Sequence, residues 1–142
     1  MSGGAGELVV RALVWVDAWQ QECCGDPFAI GDGVTWPLES EPDREWLQAA
    51  LTPELASRVG FWQERHAEAG AEPQSRTGTV VGVRAAFGRY AAREGDGAGL
   101  YPVPGSAVLV DLARAAGFES VPSGERLNGY VVELELGEPA GG

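Results

Sequence analysis

A mainly β fold is what this sequence predicts: a small curved sheet or a partly open SH3-like or OB-like barrel, with a helical insertion after the second strand. Three observations predict it. Short segments rich in β-branched residues alternate with period two, Gly and Pro turn signals separate them, and one interval, 43–69, instead shows helical spacing. The expected order is β-β-α-β-β-β, as a small antiparallel barrel or a highly curved sheet. An α+β sandwich is the alternative, because periodicity does not determine which strands pair.

The first strand spans 7–19. Leu8, Val10, Ala12, Val14 and Val16 form a wholly apolar parity, and the other parity is mixed, as expected when one face lies in a core. Gly25-Asp26-Pro27 and Gly31-Asp32-Gly33 mark tight turns, with Phe28 and Ile30 as core anchors between them. Val34 to Leu38 is a second, short strand, whose Pro37 belongs at an edge or an end because proline cannot donate to a ladder.

Asp43 is placed to cap a short helix through Leu51, with Trp46, Leu47, Ala50 and Leu51 on one stripe. Thr52-Pro53 reads as an N-cap followed by proline at the first helical position. Leu55, Val59, Trp62 and His66 then share a helical face through about Ala69, where Gly70 is a natural stop. Arg76 to Tyr90 is the longest strand of the second half, with Val81, Val83, Ala85 and Phe87 on one parity. Ala107 to Leu112 is a further strand, Ala113 to Phe118 a turn or single helical turn, and Leu127 to Leu136 the last strand. Residues 1–6 read as a flexible lead, 7–136 as a single β-rich domain and 137–142 as a flexible tail.

Charge narrows the partners. There are 21 acidic and 10 basic side chains, a formal charge of −11. Residues 1–71 carry 12 acidic and 4 basic groups, and the second half 9 and 6. Such a surface repels phosphate backbones and anionic membranes, so neither nucleic acid nor a membrane is an expected partner. A basic protein or a cation is compatible with it. No run approaches the roughly 20 apolar residues that span a bilayer, and MSGGAGE has neither a basic region nor an apolar signal core. A cytoplasmic protein is the expectation. All ten basic residues are arginine, which excludes lysine Schiff-base and phosphate-loop lysine chemistry.

The chemistry-bearing residues concentrate between Val9 and Trp36. Cys23 and Cys24 could hold a soft metal ion, cycle through a vicinal disulfide or supply a nucleophile. His66, the single histidine, would have to join them. A metal site would draw on Cys23, Cys24, His66 and Asp26, with Asp17 and Asp32 as further donors; a thiol-dependent enzyme or redox protein would use Cys23, Cys24 and His66. Adjacent cysteines are geometrically poor zinc ligands, and a structural pair is the plainer reading. No cofactor is therefore expected, a soft metal ion being the alternative. Glu64 and Glu68 read as a hydrated helical face. Dinucleotide, phosphate-loop, nucleophile-elbow and His-Glu-x-x-His motifs are absent.

The five tryptophans, Trp15, Trp19, Trp36, Trp46 and Trp62, read first as packing residues and second as the lining of a ligand groove. The leading functional reading is accordingly a small binding or protein-interaction module for an unknown protein or small molecule, rather than an enzyme. Its expected contact residues are Trp19, Gln20, Gln21, Phe28 and Trp36. A homo-oligomer could cover exposed strand edges, as barrel closure would equally.

The segments Val14-Trp15-Val16-Asp17-x-Trp19-Gln20 and Cys23-Cys24-Gly25-x-Pro27-Phe28-x-x-Gly31-Asp32-x-Val34-x-Trp36 resemble a family of small actinobacterial proteins of uncharacterised function. Thr77-Gly78-Thr79-Val80 and Val103-Pro104-Gly105-Ser106 extend the resemblance over 8–136. It implies a single domain and transfers no residue role.

Overall fold

A computed structural model describes residues 10–18, 27–40, 42–63, 74–92, 100–116, 119, 121 and 125–136. Its strands are β1 Val10–Asp17, β2 Phe28–Ala29, β3 Gly33–Ser40, β4 Val59–Gln63, β5 Gln74–Gly88, β6 Tyr90–Ala92, β7 Leu100–Pro102, β8 Val108–Leu112, β9 Arg114–Ala115 and β10 Arg126–Leu136. Two helices, α1 Arg44–Ala50 and α2 Pro53–Arg58, lie between β3 and β4.

The main sheet runs β10-β1-β4-β3-β5, and β10 also pairs with β5. Five strands therefore close into a barrel, which satisfies the ladder groups that an open sheet would leave at its edges. Closure replaces the partly open barrel expected from sequence. The barrel is also mixed rather than antiparallel, since β1 runs parallel to β4, with Trp15 in register with Trp62. A parallel pair needs a long crossover, and the chain between β1 and β4, helices included, supplies it. The helical insertion follows the third strand in chain order, because the two-residue β2 pairs with β9.

β5 is the longest strand and serves three neighbours. β10 lies along one edge, while on the other β3 pairs with Gln74–Thr79 and β8 with Val83–Phe87. The interval between β3 and β8 is bridged by a turn: Gly31 N donates to Val80 O at 2.8 Å and Val80 N donates to Asp32 O at 2.9 Å. Gly31 has φ 99°, a conformation that glycine adopts without a Cβ penalty. Ile30, expected to be a core anchor, is half exposed because it occupies this turn, whereas Phe28 is buried.

The barrel interior holds Val14, Val16, Trp36, Phe87, Tyr130 and Leu134 among others. Strict alternation puts Val81 on one parity with Val83, Ala85 and Phe87. The register moves from Gly82 opposite Glu133 to Val80 opposite Leu134, so Val81 is the extra residue of a bulge and Val80 takes the inward place. Pro37 lies within β3 opposite Ser75, neither at its end nor on an outer strand. Pairing with β4 begins only at Leu38, which leaves Pro37 outside that ladder.

A second core forms on the outer face. Trp15, Val131 and Ala86 meet Leu47, Leu51, Leu55 and Ala56 of the helical segment. Both helix starts are capped as their sequences predict: Asp43 Oδ1 accepts from Trp46 N at 3.1 Å, and Thr52 Oγ1 accepts from Leu55 N at 3.2 Å. Arg44 ties the pair together, its Nη1 donating to Ala56 O and Val59 O at the end of α2. The expected helix to Ala69 stops at Arg58. Val59-Gly-Phe-Trp-Gln63 instead runs as β4, where β-branched and aromatic side chains pack well on a pleated surface. Arg114–Ala115, within the expected turn or helical turn of 113–118, form β9, and 117–118 lie outside the described residues.

Candidate functional site

Trp15 is the floor of the site. On β1 its side chain faces outward, 3% exposed, and lies so close to β10 that a Cβ on Gly129 would stand 2.5 Å from its ring. The bare Gly129 backbone is what admits an indole there. Trp15 Nε1 donates to Asp17 Oδ1 at 2.8 Å, two residues along the same face.

The walls come from three elements. Parallel pairing sets Trp62 beside Trp15 on β4, and both belong to the outer apolar cluster. Trp46 on α1 meets Trp15 edge to face, with ring centroids 5.4 Å apart and planes at 65°. Two indoles at such an angle make a corner, and Trp62 borders it. Pro42, Asp43 and Leu47 complete a cleft of about 250 Å³ that also includes Asp17. Asp43 is there because it caps α1, and Asp17 because Trp15 holds it.

Two carboxylates edge the lining. Asp17 and Asp43 are the charged residues of the lining, and no basic side chain joins them among the described residues. The Arg44 guanidinium, next in sequence to Asp43, is engaged with the carbonyls of Ala56 and Val59. Tyr90 also senses Asp17: burial raises its pKa, the nearby Asp17 charge raises it further, and Arg126 opposes them. The cleft thus offers aromatic and apolar surface with two carboxylates, and its described lining contains no Ser, Cys or His nucleophile. Such a lining is surface against which a ligand can pack.

Phe28 and Trp36, two of the expected contact residues, are brought together inside the barrel with centroids 4.9 Å apart, edge to face. Both are buried, and both border a separate hollow of about 290 Å³ beside Asp32 and Thr35. Trp19, Gln20 and Gln21 lie outside the described residues, as do Cys23, Cys24, Asp26 and His66. Among the described residues no group of three or more His, Cys, Asp or Glu side chains could hold a metal ion. No described helix is long and apolar enough to cross a membrane.

Trp15, Trp46 and Trp62 are three of the five tryptophans that the sequence presents first as packing residues, and none of them is among the expected contact residues. Placing Trp62 on a helix separated it from Trp15, and only the parallel register of β1 with β4 reunites them. The capping signal at Asp43 was the available clue to a carboxylate beside Trp46.

Residues 10–136 match a family described as a family of unknown function, DUF6578. No curated protein and no solved structure matches the chain.

Proposed function

We propose that this chain, which belongs to the DUF6578 family, is a binding module whose ligand enters the cleft between Trp15, Trp46 and Trp62. The observation that carries this reading is the convergence of three indoles from three separate elements on one open, carboxylate-edged hollow. Packing alone accounts for Trp15, which is buried. Trp46 and Trp62 remain partly exposed at the cleft, and large aromatic surface beside water is characteristic of binding sites. At about 250 Å³ the cleft lies just below the drug-sized range of roughly 300–1,000 Å³. It suits a side chain or a small molecule.

A titration with small aromatic and apolar fragments, followed on the indole Nε1–H resonances, tests the reading. Saturable shifts at Trp46 and Trp62 with Trp36 unmoved are expected. Shifts confined to Trp36, or to indoles away from the cleft, would overturn it.

A further inference from the structure

We infer that the occupant of this cleft carries an alkylated ammonium group; the inference rests on the reading of the cleft as a ligand site. Indole has the strongest cation-attracting face of the natural side chains, and quaternary ammonium recognition uses aromatic walls of this kind. Here three indoles border one hollow of about 250 Å³, joined by two carboxylates. The chain as a whole has the same sign, at a formal charge of −11. Carboxylates on a negatively charged chain attract cations.

The walls also choose among cations. A hard divalent ion takes six or more oxygen ligands, whereas the lining offers two carboxylates among Trp, Pro and Leu. A primary ammonium brings three N–H donors that each need an acceptor, and one of the Asp17 oxygens already accepts from Trp15 Nε1. An alkylated ammonium presents methyl groups instead. It keeps the charge that the indole faces and carboxylates attract, and it asks for few or no hydrogen bonds.

The probe pair is choline and 3,3-dimethylbutan-1-ol, which share a shape and differ in charge. Each is titrated into the full chain while the indole Nε1–H resonances of Trp46, Trp62 and Trp36 are followed. Choline is expected to shift Trp46 and Trp62 saturably, with the neutral isostere about tenfold weaker. Asp17→Asn and Asp43→Asn are expected to weaken choline several-fold and leave the isostere unchanged. Both substitutions keep a side-chain oxygen acceptor, so each fold is checked by its melting curve. A peptide carrying trimethyllysine, run against its unmodified form, distinguishes the source: tighter binding than choline with discrimination against plain lysine assigns a protein ligand, and parity with choline assigns a free small molecule. Equal binding of choline and the isostere would overturn the cation inference and leave the cleft as an apolar site. No cleft shift with either probe would also overturn it, and the fragment titration then decides the cleft separately.

Discussion

Trp15 Nε1 donates to Asp17 Oδ1 at 2.8 Å, so a single buried indole both floors the cleft and fixes the direction of one of its carboxylates. The two residues are two apart on a strand and therefore share a face. The same bond satisfies an N–H that burial would otherwise leave costly. Structure and site are coupled here: what pins Trp15 also sets the charge at the cleft.

Gly129→Ala tests that pin. The added Cβ would collide with Val16 O and stand 2.5 Å from the Trp15 ring, and the first of these contacts is backbone that cannot swing aside. A loss of about 2–3 kcal/mol is expected in urea unfolding, with the Trp15 indole resonance displaced. A change below about 0.5 kcal/mol, the range of neutral surface substitutions, would contradict the close approach.

Asp43 has two separable duties. Asp43→Ala removes both the cap on Trp46 N and a cleft charge, and should cost about 1 kcal/mol of stability. Asp43→Asn keeps a capping oxygen and should leave the melting temperature nearly unchanged. Thermal melts of the two variants check this; equal destabilisation would mean that the charge, not the cap, stabilises α1.

Arg44→Met keeps the aliphatic stem and removes the donor to Ala56 O and Val59 O. A loss of about 1–3 kcal/mol is expected, the range for hydrogen bonds from charged groups. Amide exchange should quicken through α1 and α2 more than through β5 and β10. Uniform acceleration would show that the helices do not open apart from the barrel.

Tyr90 predicts an alkaline limit. Its folded pKa is raised, first by burial and then by Asp17, so the folded state holds that proton at a pH where the unfolded chain releases it. The associated stability is complete below the unfolded value of about 10 and is lost as pH rises through the folded one. Urea midpoints from pH 9 to 12 should fall less for Tyr90→Phe than for the parent. Identical slopes would remove Tyr90 as the cause.

Local signals were legible and pairing was not. Asp43, Thr52 and Pro53 each announce a helix start, because capping is settled by one side chain and the backbone next to it. The apolar parity of β1 likewise reads directly as Val14 and Val16 in the barrel. Val59 and Trp62 mislead because their spacing fits a helical stripe while the short segment that holds them also fits a strand, and the parallel contact with β1 decides. Val81 misleads because a bulge shifts parity without marking the sequence. The cleft inherits the first difficulty: its residues come from β1, α1, β4 and the segment before α1, and only the closed barrel brings them together.

The most direct test of the cleft is a crystal structure of the chain grown with saturating choline. Density for the trimethylammonium group within about 6 Å of the indole centroids of Trp46 and Trp62, the reach of a cation–π contact, is the predicted result. Choline ordered at another surface, with the cleft filled only by water, would contradict the account.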